Sequence, residues 1–295
     1  MASSRTPASL ATSWPCLEAT RDRQWRTPDA AEHSSVGQLD AELLGGVANA
    51  GRVFRLGAAV QRPAPASRDA VHRLLGHLHA VGFAGAPRVL STCGDQELLS
   101  WVPGRAAAFP LPPWAVSDAA LASVGALIRR FHDAIGSFTA PDLAWPEVAI
   151  PEPYRDGRIS HNDLHPGNIV FADDVAVGLI DFDLAGPGGL VWDLASLVRY
   201  WCPLVDDPDL PPGDADRRLD RFGLLLDAYG LQGEDRVAVA DALIDNHDWT
   251  YRIVMDEASR GHDGFRRHWN EIGGLASRSR AWILERSVDL RAAAR

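Results

Sequence analysis

The patterned part of the chain opens with short runs that alternate apolar and polar residues. VFRL (53–56) and AAVQR (58–62) carry the period of two that marks strands, and Gly45, Gly46 and Gly51 bracket a turn before them. From Ser67, a helix N-cap residue, the period changes. Val71, Leu74, Leu75, Leu78 and Val81 recur at helical spacing, and Gly82 closes the run. PRVLST (87–92) and ELLSWV (97–102) read as two further strands, ended by Pro103-Gly104. The first 35 residues show no periodicity and are rich in Ser, Thr, Pro and Ala, which predicts a flexible tail.

Past a Pro-rich connector at 110–113 the spacing is mostly helical. Ser117-Asp118 starts a long amphipathic helix with Leu121, Val124, Leu127, Ile128 and Phe131 on its apolar stripe. Two short strand patterns, IVF (169–171) and VGLI (177–180), follow, and Trp192-Asp193-Leu194-Ala195 begins another helix. Helical patterns recur over 214–229, 234–258 and 263–293, after a Pro/Asp-rich loop at 203–214. The predicted class is α+β. A small β-rich lobe with one helix spans 36–101, a hinge lies near Trp101–Gly104, and a larger, mostly helical lobe spans 102–295.

Charge narrows the partners. The net charge of the 295-residue chain is −10, and between Leu204 and Ala258 fourteen Asp or Glu stand against five Arg, a balance of −9. That argues against a nucleic-acid surface. It suits either a cationic small molecule or a solvated helix face. No apolar run is long enough to span a bilayer, and the first residues carry no secretory pattern. Cys16, Cys93 and Cys202 have neither metal-ligand spacing nor a disulfide framework, so a reducing cytoplasm is expected. All 29 basic residues are Arg, and the chain has no Lys.

One run carries chemistry. His161-Asn162-Asp163-Leu164-His165-Pro166-Gly167-Asn168 is followed, across the two short strands, by Ile180-Asp181-Phe182-Asp183. Phosphoryl transfer needs a carboxylate to orient a hydroxyl and oxygen ligands to hold magnesium against nucleotide phosphates. Asp163 suits the first task, and Asn168 and Asp181 the second. The ordered set matches the kinase catalytic loop and metal loop position by position.

These residues, together with VWDLA (191–195), make the chain resemble the aminoglycoside phosphotransferase and choline kinase-like family, a branch of the bilobal protein-kinase-like fold. The resemblance runs from about Leu39 to the C-terminus. It implies ATP or GTP with Mg²⁺ as cofactors and transfer of the γ-phosphoryl group to a hydroxyl of a small molecule. Asp163 would be the base, His161 and Asp193 would support the loop, and Asn168, Asp181 and Asp183 would hold the metal. Gly45, Gly46, Asn49 and Gly51 would cover the phosphates, and Ser100, Trp101 and Val102 would meet the base. Only eleven residues separate Asp181 from Asp193, too few for a regulated activation segment. The family's phosphate-binding Lys is missing. Arg62 is its expected substitute and Arg55 the runner-up, while the helix at 67–81 offers no Glu, only Asp69 and His72. Acceptor candidates are Asp206, Asp207, Asp245, His247, Asp248, Trp249, Tyr251, Arg252, Asp256 and Glu257, with an aminoglycoside or another amine-bearing molecule as the expected acceptor. A Ser/Thr kinase for a biosynthetic peptide and a nucleotide-binding pseudokinase are the competing expectations.

Overall fold

β1 (Ala41–Leu43), β2 (Phe54–Leu56) and β3 (Ala59–Pro63) form an antiparallel meander, in which Leu56 pairs with Ala59 across the tight turn at Gly57, whose φ is +62°. The computed structural model describes residues 41–44, 51–107, 111–139, 142–146, 150–206 and 214–295. The expected tail and Gly45, Gly46 and Asn49 lie outside them.

α1 (Arg68–Ala80) follows and buries Val71, Leu74, Leu75 and Leu78, while Val81 is left exposed. Ser67 precedes α1 but makes no side-chain cap bond. Its ψ of 17° lacks the extended backbone that aims a capping hydroxyl at the helix donors. β4 (Val89–Cys93) and β5 (Gln96–Ser100) complete a five-stranded sheet of order β1-β2-β3-β5-β4. The register of β3 on β5 sets Arg62 opposite Glu97.

β6 (Arg105–Ala106) leads to α2 (Asp118–Ile135), capped by Ser117, whose hydroxyl accepts from the Ala120 N–H at 3.1 Å. All five stripe residues of α2 are buried. β7 (Arg158–Ser160) precedes the loop that holds Asp163, and β8 (Ile169–Ala172) and β9 (Val175–Leu179) pair with β6 in a three-stranded sheet. β10 (Gly186–Gly188) returns to pair with β7. α3 (Leu190–Trp201), α4 (Asp214–Tyr229), α5 (Glu234–Ser259), α6 (Asp263–Glu285) and α7 (Ser287–Ala293) make up the rest. The helix expected over 263–293 is two helices, because the backbone breaks at Arg286 and turns Leu290 into the core.

One core runs through the molecule, from Leu74 and Leu78 of α1 through Phe131 of α2 to Leu179, Phe182, Leu194 and Trp282. Almost every residue of α3 is buried, including Asp193 and Arg199, so both charges must be answered from inside. Cys202 is buried and free. Cys93 is disulfide-bonded, contrary to the expectation from spacing, since distance along the chain does not limit distance in space; its partner lies outside the described residues. Among the described residues no helix is long and apolar enough to cross a membrane.

Candidate active site

The loop from His161 to Asn168 is held from behind by one buried carboxylate. Asp193 accepts the backbone N–H of His161 at 2.8 Å on one oxygen and that of Asn162 at 2.7 Å on the other. His132 of α2 donates to it as well, at 3.1 Å. Asn162 takes φ of +65°, a conformation Asn tolerates better than most residues, and its amide donates to the Leu184 carbonyl at 2.9 Å. His161 donates from Nε2 to the Ile180 carbonyl at 3.1 Å, and burial holds its pKa below the usual value. His161 and Asp193 therefore fix the backbone around Asp163.

Asp163 is the reactive candidate. The Asn168 amide donates to its carbonyl at 3.0 Å and to its Oδ2 at 2.9 Å, which orients the carboxylate. Burial first, and the charge of Asp181 second, push its pKa up to about 7. A carboxylate so tuned can take a proton from a hydroxyl near neutral pH.

Asp181, also at positive φ (63°), and Asp183 project from the short turn after β9. Both meet Arg62. Its Nη1 donates to Asp181 Oδ1 at 3.0 Å and its Nη2 to Asp183 Oδ1 at 2.6 Å, while Nε donates to Glu97 Oε1 at 2.7 Å. The second oxygen of Glu97 accepts from His72 of α1 at 2.6 Å. Burial alone would lower the Arg62 pKa, but Asp183, Asp181 and Glu97 outweigh it and hold it above the ordinary value. Burial, then Asp181, pushes Asp183 up to about 6 against the pull of Arg62.

Asp181, Asp183 and Asn168 offer hard oxygen donors of the kind a divalent cation takes, although among the described residues no group of three or more His, Cys, Asp or Glu is placed to hold one. Asp181 and Asp183 turn one oxygen each toward the same positive group. The Asn168 nitrogen is committed to Asp163, which leaves Oδ1 as the amide's ligand atom.

The segment between Asp181 and Asp193 folds straight back. β10 pairs with β7, and a Cβ at Gly189 would lie 2.2 Å from the Tyr154 carbonyl oxygen, so the approach requires glycine.

Other expectations fare differently. Of the phosphate-covering turn only Gly51 is described; it is exposed, with φ of +76°. At the hinge, the Ser100 N–H donates to the Arg88 carbonyl and the Trp101 N–H to that of Ala58, each at 2.8 Å, so neither donor is available to a base. Val102 is buried. Arg55 stacks over Trp101 at 4.2 Å and donates to the Gly57 carbonyl, away from Asp181.

The acceptor candidates do not converge. Asp248 is held by Arg280, Asp245 accepts from the Tyr154 hydroxyl, and Glu257 binds Arg260 and His262. Asp206 is exposed beside Arg218, and Trp249 is buried against Trp192. Arg252 and Asp256 are exposed, and Asp207 lies outside the described residues. His247 and Tyr251 do stack together, at 4.6 Å. The sequence pattern missed Glu97, the answer to the absent helix Glu. Its signal was a lone acid opening an otherwise apolar strand opposite Arg62. His132 gave no signal either, because it sits beside the apolar stripe of α2 with nothing in the local pattern to mark it.

Comparison with known proteins gives a consistent set. A family model, the phosphotransferase enzyme family, matches residues 135–230. The trifolitoxin immunity protein of Rhizobium leguminosarum bv. trifolii is 36% identical over 202 residues, covering 65% of this chain and 75% of that protein. A homoserine kinase of Pseudomonas aeruginosa is 29% identical over 198 residues, 64% of this chain and 53% of its own length. The chain thus spans about half the length of that kinase. Among solved structures, an amicoumacin kinase in complex with AMP-PNP, Ca²⁺ and Ami superposes with a TM-score of 0.61 at 15% identity, over 83% of this chain and 88% of that one. A choline/ethanolamine kinase family protein from Mesorhizobium loti gives 0.58 at 16% identity, over 86% and 92%. Those two likenesses establish the bilobal α+β kinase-like fold.

Proposed function

The chain belongs to the phosphotransferase enzyme family, and from that premise we propose that it transfers the γ-phosphoryl group of ATP to a hydroxyl of a small, amine-bearing molecule. The observation that carries this is the convergence of Asp163, Asn168, Asp181 and Arg62 from two halves of the chain. Residues 36–101 would form the nucleotide lobe and 102–295 the catalytic and acceptor lobe.

Asp163 orients the acceptor hydroxyl and takes its proton. The acceptor oxygen forms a bond to the γ-phosphorus as the bond from that phosphorus to the β-phosphate oxygen breaks, and ADP leaves. Magnesium, when bound, neutralises charge on the phosphates, and Asn168, Asp181 and Asp183 would hold it. Arg62 would take the part of the family's Lys toward the phosphates, since its planar fork suits phosphate oxygens. Glu97 and His72 hold that fork in place. The segment from Asp181 to Asp193 needs no phosphorylation to order it, since β10 is already paired with β7.

The names of the relatives give two acceptor directions, homoserine and amicoumacin. The pairing of Asp248 and Glu257 with Arg residues weakens the case for a strongly cationic acceptor such as an aminoglycoside. The test is a transfer screen with ATP and GTP against amino alcohols, aminoglycosides and peptides, read by product mass. One added phosphoryl group on a small molecule supports the proposal. Transfer to peptide alone favours the peptide-kinase alternative, and tight nucleotide binding with no transfer favours the pseudokinase.

A further inference from the structure

The whole fork of Arg62 is in use. Nε donates to Glu97 Oε1 at 2.7 Å, Nη1 to Asp181 Oδ1 at 3.0 Å and Nη2 to Asp183 Oδ1 at 2.6 Å. An ammonium is a compact point charge, whereas the planar guanidinium hands a separate N–H to each of three acids. The Arg62 side chain is 8% exposed and that of Asp181 47%, so solvent reaches the acid far more readily than the cation paired with it.

The three acids are not held alike. Glu97 is fixed on β5 opposite Arg62 and has a second partner in His72, at 2.6 Å. Among the described residues Arg62 is the hydrogen-bond partner of both Asp181 and Asp183, and neither has another. These are the two acids assigned above to the metal ion. A divalent cation binds carboxylate oxygens directly, and one oxygen of each acid already accepts from Arg62. A cation arriving alone must displace two charge-assisted hydrogen bonds or lie beside a fixed positive charge. Among the described residues no three of His, Cys, Asp or Glu make a ready cation cage; the acids at this point enclose an arginine instead. Nucleotide phosphate alters the balance. Its oxygens suit the same fork, so Nη1 and Nη2 can exchange carboxylate for phosphate while Glu97 keeps hold of Nε.

We propose that Arg62 is a resident counter-cation that closes Asp181 and Asp183 to free metal ions, and that nucleotide phosphate opens them by drawing the guanidinium away. This rests on the phosphotransferase reading and deepens it, since Arg62 then makes metal binding depend on nucleotide. The apparent affinity for metal alone is reduced by the small fraction of molecules in which Arg62 has left the two acids.

The experiment titrates Mn²⁺, which takes the same hard oxygen ligands as magnesium, into the full chain without nucleotide, with free Mn²⁺ read by electron paramagnetic resonance. Wild type, Arg62→Gln and Arg62→Lys are compared, and AMP-PNP is then titrated at saturating Mn²⁺. Arg62→Gln is expected to bind Mn²⁺ alone about tenfold or more tightly than wild type, while its AMP-PNP affinity falls about tenfold. The opposite signs identify the closing role, because a merely structural role would weaken both. Arg62→Lys should fall between the two on the Mn²⁺ titration. Equal or weaker Mn²⁺ binding by Arg62→Gln, with folding checked by thermal unfolding, overturns the proposal. Should Arg62→Gln fail to fold, Arg62→Lys decides: a gain of about threefold in Mn²⁺ affinity supports the proposal, and an unchanged affinity overturns it. Either contrary result with AMP-PNP binding intact in the wild type overturns this proposal alone. Absence of AMP-PNP binding by the wild type removes the phosphotransferase reading and the proposal with it.

Discussion

Arg62 and Glu97 face each other across neighbouring strands, β3 and β5, with Nε donating to Oε1 at 2.7 Å. In this chain the strand-borne cation is therefore held by a strand-borne acid, with His72 of α1 as third member. Arg62 also reaches Asp181 and Asp183, so it ties the sheet to the turn after β9.

Arg62→Ala should consequently act twice. It leaves Glu97 buried with only His72, and breaking a buried ion pair from one side costs about 3–5 kcal/mol. It also removes the proposed phosphate contact. Urea unfolding should show the stability loss, and calorimetry should show nucleotide affinity reduced by about tenfold or more. Arg62→Lys keeps the charge but cannot reach three carboxylates at once, so it should fall between. Wild-type nucleotide affinity in Arg62→Ala would transfer the phosphate role elsewhere, with Arg55 next in line.

Asp193→Asn tests the loop support. The amide keeps one acceptor oxygen, while its NH₂ faces a backbone N–H that then loses its partner. An unsatisfied buried donor costs about 1–3 kcal/mol. Turnover should fall more than nucleotide affinity, because the displaced backbone carries Asp163. Denaturation and steady-state kinetics, taken together, check both effects.

The loop from His161 to Asn168 was readable because its residues are consecutive and their chemistry is dictated by spacing. α2 was readable because one apolar stripe and one extended serine specify it. Glu97 was not, since its role depends on strand register across 35 residues, which no local pattern fixes. The burial of Arg199 was hidden for a related reason. α3 is buried all round, so periodicity does not say which of its polar residues faces the reactive loop. Ser67 shows the converse, a capping residue in the right place whose backbone does not let it cap.

The pH dependence of stability has a signed contribution from His165. Burial, then Arg199 and His268, lowers its pKa to about 4, whereas an unfolded His titrates near about 6.5. Between those values the unfolded chain binds more protons. The contribution is complete above about pH 6.5 and is lost as pH falls toward about 4. Asp163, raised to about 7, works in the opposite sense, since its folded form binds more protons over a window reaching up to that value. The difference between wild type and His165→Gln isolates the histidine. The variant's stability should fall less steeply over this range, as measured by urea unfolding at successive pH values.

Gly189→Ala should destabilise without touching any reactive group. The new Cβ meets the Tyr154 carbonyl oxygen at 2.2 Å, which is backbone and cannot step aside cheaply. A loss of about 1–3 kcal/mol is expected from such overpacking. Thermal unfolding reads it, with Gly230→Ala unsuitable as a control because φ there is +82°.

We propose Asp163 as the base of a phosphoryl transfer. It is tested most directly by single-turnover transfer from ATP to the acceptor found in the screen, comparing wild type with Asp163→Asn. Transfer is expected to slow by about 10²–10⁴-fold while magnesium-dependent ATP binding stays within about twofold. Transfer at the wild-type rate in Asp163→Asn would contradict it.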